Sequence, residues 1–308
     1  MIATGPKTLL DALSRAVVGQ REVVESLLLG LIADGHVLLE GPPGLAKTLS
    51  CRALAAGLDG RFKRVQFTPD LLPADIIGTR VFDQREAVFN TVLGPVFANV
   101  VLADEINRAP AKVQSALLEA MQERQVTIGP ETLALPDPFI VLATMNPLDA
   151  DGTYSLPLAQ LDRFLLKINL DFPSKEEERE ILERYAMDRT DLVHGAATLG
   201  DVAAWREQAR NVHVDEKIKR YVVDLVFATR GDNPYIERGA SPRATLALIY
   251  VSRAKALLAG RDFVLPDDVR SVAPPVLRHR IAFTHKLLID RADPEAVLAS
   301  VIASIAAP

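Results

Sequence analysis

The stretch Gly41-Pro42-Pro43-Gly44-Leu45-Ala46-Lys47-Thr48 constrains this chain more than any other. His36-Val37-Leu38-Leu39-Glu40, just before it, is a short apolar run of the kind that forms a buried strand. Leu49 to Gly57, just after it, has helical character and ends on a glycine stop. A strand, a glycine-bearing loop and a Lys-Thr pair opening a helix is the context in which a loop cradles phosphate. Gly41 and Gly44 let the backbone turn tightly, so that several N–H groups point into one concavity. The helix start adds partial positive charge at the same place. Lys47 then supplies a cation for the β- and γ-phosphates, and Thr48 a hydroxyl for Mg²⁺. Ala46 stands where such loops commonly carry glycine, and its Cβ fits if the residue keeps helical dihedrals. Gly41 through Leu49 is therefore the expected nucleotide-binding stretch; the plain alternative is a tight turn before a buried helix.

Asn99-Val100-Val101-Leu102-Ala103-Asp104-Glu105 is a second buried strand, and it ends in two carboxylates. That suits a sheet edge facing a ligand. Asp104 is expected to bind Mg²⁺, directly or through water, and Glu105 to accept a proton from an attacking water. Such a run alone also reads as a helix N-cap; its position about 60 residues after a phosphate loop favours the chemical reading. Phe139–Thr144 is a third long apolar run, ending near Asn146. The Asn146 amide can donate to a phosphate oxygen and accept from a water together; its plain reading is a turn former before Pro147. Leu161-Asp162-Arg163-Phe164 leads into a strand over Phe164–Leu170, and Phe62–Phe67 is a further strand. Strands alternating with helices predict a parallel α/β sandwich over residues 1–172.

Around that frame, residues 7–34 read as two helices parted at Val17-Val18-Gly19-Gln20, and Pro110–Arg124 as a helix that Asn107 caps. Arg108 reads equally as a contact to a neighbour or as a salt-bridge residue. Thr79–Phe82 with Ala87–Phe89, and Val126–Ile128 with Leu133–Leu135, predict two hairpins. The character changes at Phe172-Pro173, and residues 173–308 predict an all-helical second domain. Ser174-Lys175-Glu176-Glu177 is a capping box opening a helix to about Met187. Asp201–Gln208 and Asp215–Thr229 are helices, and Ser241-Pro242 starts another that runs to Gly260. Asp267–Val272 is a helix broken by Pro274-Pro275. The apolar tail, Ala296 to Ala307, is expected to pack on this domain or on a neighbouring chain.

Composition excludes several function classes. The formal net charge of −5 over 308 residues rules out a general polyanion binder. The predicted hairpins carry Arg80, Arg85 and Arg124 against Glu86, Glu123 and Glu131, so nucleic acid is not an expected partner. Cys51 is the sole cysteine, which forbids an intrachain disulfide and suits a cytoplasmic setting. No run of about 18 apolar residues occurs, so no membrane span is expected.

Together these motifs resemble a AAA+ ATPase over nearly the whole chain. Gly41–Thr48 matches its Walker A motif and Val100–Glu105 its Walker B. Asn146 matches sensor 1, Arg163 the arginine finger and Arg243 sensor 2, while Val18-Gly19-Gln20 matches the turn that touches adenine. Within that superfamily the chain resembles the MoxR family. The resemblance lies in Asp104-Glu105-Ile106-Asn107-Arg108-Ala109, in the Leu142–Pro147 run and in Gln160-Leu161-Asp162-Arg163-Phe164. The two hairpins match the helix-2 and pre-sensor-1 insertions of the branch that also holds magnesium-chelatase I subunits. The resemblance implies a P-loop αβα core with a helical lid, and ATP hydrolysis with Mg²⁺ between subunits of a homo-hexameric ring. It further implies a partner carrying a von Willebrand A domain and a chaperone-like role on a protein client complex, sometimes aiding metal insertion. Lys47, Glu105, Asn146, Arg163 and Arg243 are the catalytic residues it implies. The competing readings are a magnesium-chelatase I-type motor and a DNA-handling AAA+ motor. For Arg163 the plain alternative is an ion pair, and for Arg243 a solvated first-turn residue.

Overall fold

The computed structural model describes residues 5–42, 44, 45, 47–146, 154–185 and 194–308. Pro43, Ala46, Pro147 and Met187, each part of an expectation above, lie outside the described residues.

Helices α1 (Pro6–Ala16) and α2 (Arg21–Ile32) bury leucine-rich faces and part at Gly19. The Gly19 φ of +72° is a left-handed value that glycine adopts at little cost. Next come β1 (Val37–Glu40), α3 (Lys47–Gly57) and β2 (Phe62–Gln66). Helix α4 (Pro73–Ile77) leads into a hairpin of β3 (Gly78–Asp83) and β4 (Val88–Leu93). Strand β5 (Val100–Asp104) is followed by a 3₁₀ turn over Ile106–Arg108 and by α5 (Ala111–Glu123). A second hairpin pairs β6 (Gln125–Ile128) with β7 (Glu131–Ala134). Strand β8 (Ile140–Met145), α6 (Leu158–Leu161) and β9 (Leu166–Asn169) complete the core.

The central sheet runs β2-β5-β8-β1-β9 with every neighbouring pair parallel. β1, β5 and β8 are aliphatic almost throughout because both faces of the sheet are covered. On one face, α1, α2 and α3 pack over Val37, Leu39, Val100, Leu102 and Ile140. On the other, α4, α5 and the hairpins cover Leu38, Val101, Ala103 and Val141, with Phe67, Phe139 and Phe164 filling the volume. The register aligns Glu40 with Met145 and Asn169, and Asp104 with Gln66. The carboxyl ends of β1, β5 and β8 therefore lie along one edge. The residues that enter β1 and β9 lie along the opposite edge.

The helical region after β9, called the lid below, comprises α7 (Lys175–Tyr185), α8 (Leu199–Asn211), α9 (Glu216–Ala228), β10 (Ile236–Arg238), α10 (Pro242–Leu258), α11 (Pro266–Leu277), β11 (Ala282–Phe283), α12 (His285–Ile289) and α13 (Pro294–Ala303). Its buried residues, among them Trp205, Leu225, Leu248 and Val276, join the α1–α3 face in one continuous cluster. The tail helix α13 packs on the lid itself, against α9 and α11.

Four local expectations change. α11 continues through Pro274 and Pro275, with the ladder resuming at Arg278 N–H to Pro274 O (3.0 Å). An interior proline costs about 3 kcal/mol, and burial of Val272, Ala273, Val276 and Leu277 offsets it. β10 and β11 form a short antiparallel pair in the otherwise helical lid; two or three residues are too few to show an alternation. Asn107 does not cap α5: it is buried inside the 3₁₀ turn, and Pro110 holds the N-cap position. Arg124 belongs to no exposed hairpin. It ends α5 in a left-handed conformation and lays its guanidinium on Phe139, donating to Asp34. Among the described residues no helix is long and apolar enough to cross a membrane.

Candidate active site

The phosphate loop leaves β1 at the carboxyl edge of the sheet. Gly41 N–H donates to Met145 O at 3.2 Å, so the loop starts beside the end of β8 and next to Asn146, which is half-buried. A Cβ on Gly41 would lie 2.7 Å from Leu170 Cβ and 2.8 Å from its carbonyl oxygen, so only glycine fits this approach. Gly44 has φ +86°. Lys47 opens α3 and donates to Gly41 O at 2.5 Å. Partial burial lowers the affinity of its amine for a proton, while Asp104, Glu105 and Glu40 act in the opposite sense. A lysine half-withdrawn from water and near three acids is a cation held ready for anionic oxygens. Thr48 follows in the first turn of α3, and Leu49 after it. The Val18-Gly19-Gln20 turn lies under the start of α7: a Cβ on Gly19 would come 3.1 Å from the Glu177 side chain.

The acid pair sits at the same edge. Thr144 Oγ1 donates to Asp104 Oδ1 at 2.6 Å and accepts from the Glu105 N–H at 2.8 Å. Arg64, on β2, donates twice to Asp104 Oδ2, at 2.7 and 2.9 Å. Gln66 Nε2 donates to Glu105 Oε2 at 2.9 Å, and Arg108 Nε lies 3.1 Å from the same oxygen. Glu105 has φ 58° and ψ 51°, a left-handed conformation that costs a non-glycine residue about 1–2 kcal/mol. The turn sends its side chain off the line of β5. Lys47, Thr48, Asp104, Glu105 and Asn146 are thus gathered at the ends of adjacent strands. Thr48 and Asp104 offer oxygen donors of the type Mg²⁺ takes.

Arg163 and Arg243 are elsewhere. Arg163 follows α6 and precedes β9, so it lies at the amino edge of the sheet, where its Nη1 donates to Leu118 O at 3.2 Å. Arg243, in the first turn of α10, meets it there: both line a recess with His36 and Asp162. That recess opens into a groove of about 720 Å³ between core and lid, lined by seven arginines with Asp34 as the single acid. Asp34 and Asp137 neutralise Arg206 (2.9 and 2.8 Å), and Asp34 also pairs with Arg124 (2.9 Å). Among the described residues no carboxylate pairs with Arg163 or Arg243. At about 3.3 Å per residue, the four residues of β1 put roughly 13 Å between this edge and the phosphate loop.

A family model described as "ATPase family associated with various cellular activities (AAA)" matches residues 36–166, and one described as "AAA lid domain" matches residues 230–301. The chain is 51% identical over 302 residues to Chaperone MoxR1 of Mycobacterium tuberculosis, covering 96% of this chain and 80% of that protein. The chain belongs to the MoxR family of AAA ATPases. Protein MoxR of Paracoccus denitrificans is 36% identical over 88% of this chain and 86% of its own length. A crystal structure of a candidate ATPase from Cytophaga hutchinsonii superposes with a TM-score of 0.91 at 43% identity, covering 97% of this chain and 94% of that one. The α/β core with its parallel five-stranded sheet and helical lid is therefore that of a nucleotide-binding ATPase, and ATP hydrolysis is its reaction. Motif reading in a MoxR sequence finds the loop and the acid pair. It passes over Arg64, Gln66 and Thr144, which hold that pair, because their link to it is pairing between strands. It also passes over the groove, whose arginines besides Arg163 and Arg243 are Arg124, Arg206, Arg210, Arg253 and Arg280.

Proposed function

We propose that this MoxR ATPase hydrolyses ATP between neighbouring copies of a ring and uses the turnover to remodel partner protein complexes. The observation that carries this reading is the division of the catalytic groups between the two edges of one sheet. Lys47, Thr48, Asp104, Glu105 and Asn146 form a site whose two neighbouring arginines, Arg64 and Arg108, are engaged by the acid pair itself. Arg163 and Arg243 line a recess about a strand's length away, and among the described residues neither is ion-paired with a carboxylate. A second copy placed head to tail brings one set against the other.

In that arrangement Gly41 to Leu49 wraps the triphosphate, and Val18-Gly19-Gln20 lies beside the base. Lys47 neutralises the β- and γ-phosphates, and Thr48 and Asp104 would hold Mg²⁺, which would offset charge on the phosphate oxygens. To do so, Asp104 would give up its contact with Arg64. Glu105 accepts the proton of the attacking water, which Asn146 orients. Arg163 of the adjoining copy neutralises charge developing on the γ-phosphate, a contribution worth about 10³–10⁵ in rate in related phosphoryl transfers; Arg243 joins it from the same side. A sixfold ring, a partner with a von Willebrand A domain and a protein client follow from family resemblance. The β3–β4 hairpin, which exposes Phe82 and Phe89 at 48% and 56%, supports contact with protein rather than nucleic acid. The MoxR assignment favours this reading over a chelatase motor.

Capture of the Glu105→Gln variant in ATP and magnesium tests it. The variant is expected to bind ATP, to turn over at least about 100-fold more slowly, and to accumulate as a ring with bound partner proteins. A variant that hydrolyses at the native rate, or stays monomeric in ATP, contradicts the proposal.

A further inference from the structure

Asp162 lines the recess together with the two arginines. It ends α6, and its main chain runs directly into Arg163. Its Oδ2 accepts from the Ser241 hydroxyl at 2.9 Å. Ser241 caps α10, its Oγ accepting from the Arg243 N–H at 3.2 Å. The other carboxylate oxygen, Oδ1, accepts from Arg280 Nε at 2.8 Å. The Arg280 guanidinium is 3% exposed, and its remaining groups donate to the carbonyls of Phe164 (2.6 Å), Leu165 (3.1 Å) and Val276. Arg280 therefore ties Asp162 both to the two residues that follow Arg163 and to α11 of the lid. Burial lowers the Arg280 pKa to about 10, with Asp162 opposing the shift, so the guanidinium keeps its charge at neutral pH.

These contacts make one uninterrupted chain: Arg280 to Asp162, Ser241 to Asp162, and the Arg243 amide to Ser241. A hydroxyl that donates to a carboxylate while accepting from an amide is fixed in direction at both ends. A buried ion pair with its other hydrogen-bonding groups satisfied is costly to rearrange. The chain crosses from the core turn that carries Arg163 to the lid helix that carries Arg243, and the three residues Asp162, Arg163 and Arg243 line the same recess.

We propose that Asp162 is a positioning residue for ATP hydrolysis: through Ser241 and Arg280 it holds the turn bearing Arg163 and the helix bearing Arg243 at one separation, so that both guanidiniums meet a neighbour's nucleotide together. This role rests on the trans reading of the two arginines. It makes the lid and the amino edge of the core one unit, so a lid displacement that moves Arg243 moves Arg163 with it. A plain tether between lid and core affects stability, or affects KM and kcat alike. A positioning device affects kcat alone, because the phosphate loop that binds ATP in the same copy is untouched.

Asp162→Asn leaves Arg280 buried beside a neutral group, a change that can prevent folding, so the test is made at Ser241 in the full chain. Ser241→Asp keeps an N-cap acceptor but sets a carboxylate against Asp162 in place of the donor, turning the link into a repulsion; Ser241→Thr keeps both functions. Ser241→Asp is expected to lower the kcat of ATP hydrolysis about ten- to a hundredfold, with KM for ATP unchanged within about twofold. Ser241→Thr is expected to retain the native rate. Mixing Ser241→Asp with Lys47→Ala subunits restores turnover, since each supplies the edge the other lacks. Adding Ser241→Asp to Arg243→Ala slows the enzyme no further. A Ser241→Asp protein with native kcat overturns the inference, as does a loss that multiplies with that of Arg243→Ala. Failure of the mixture where Arg163→Ala is rescued by the same Lys47→Ala subunits overturns it as well. Unchanged turnover in Arg243→Ala, or no rescue of Arg163→Ala, overturns the trans reading itself and is distinguishable on that ground.

Discussion

His36 shows how single side chains are committed by their surroundings. It is 4% exposed at the entry to β1, where its Nδ1 accepts from Val141 N–H at 3.0 Å and its Nε2 donates to Met121 O at 3.0 Å. Those two bonds select one neutral tautomer. Burial, aided by the Arg124 charge, lowers its pKa to about 3. His279, buried and donating to Phe164 O, is likewise held well below its ordinary value. A histidine whose folded pKa is depressed stabilises the fold fully above the unfolded value of about 6.5, and that stability is lost as pH falls towards the folded value. Urea unfolding should show a loss of about 2 kcal/mol per histidine between pH 7 and pH 5. His36→Gln should remove its share of the slope. A stability profile flat from pH 7 to pH 5 would contradict the placement of these rings. Glu105 is committed differently, by a left-handed backbone that Thr144 braces and by Gln66 and Arg108 on its carboxylate.

Among the elements, β9 and the turn before it connect the packing to the chemistry. Phe164 is fully buried in the cluster beneath the sheet, adjacent to Arg163, and its carbonyl accepts from His279 and Arg280. Phe164→Ala should cost about 3–5 kcal/mol by calorimetry or denaturant titration, a change below 1 kcal/mol being incompatible with the packing described. The legibility of the sequence follows this same division between local and distant contacts. β1, β5 and β8 were readable because strands buried on both faces are uninterrupted aliphatic runs. The phosphate loop and Asp104-Glu105 were readable because their chemistry is set by adjacent residues. The course of α11 was not, because propensity at Pro274-Pro275 is outweighed by packing of Val272 and Val276 that no local pattern shows. Nor was the arginine groove, since Arg124, Arg206, Arg253 and Arg280 meet only when α5, α8, α10 and the turn after α11 close around them. Arg64 faces Asp104 through the β2–β5 register, which single-strand patterns do not specify.

In the whole molecule, the parallel sheet separates the two groups of residues that the proposed mechanism brings together. The carboxyl edge carries the phosphate loop, the acid pair and Asn146; the amino edge carries Arg163 and Arg243 beside the lid. The continuous apolar cluster running from the α1–α3 face into α8, α9, α10 and α11 makes core and lid a packed unit rather than two loosely joined bodies. In the proposed mechanism the two edges meet only between copies of the chain, as a ring would bring them together. The most direct measurement is ATPase activity in mixtures of two inactive full-length variants, Arg163→Ala and Lys47→Ala. Each alone should turn over slowly, and Arg163→Ala should still bind ATP. Mixed, they should recover a substantial fraction of native turnover, because an intact phosphate loop then faces an intact arginine across the subunit boundary. Mixtures no more active than the separate variants would contradict the shared site.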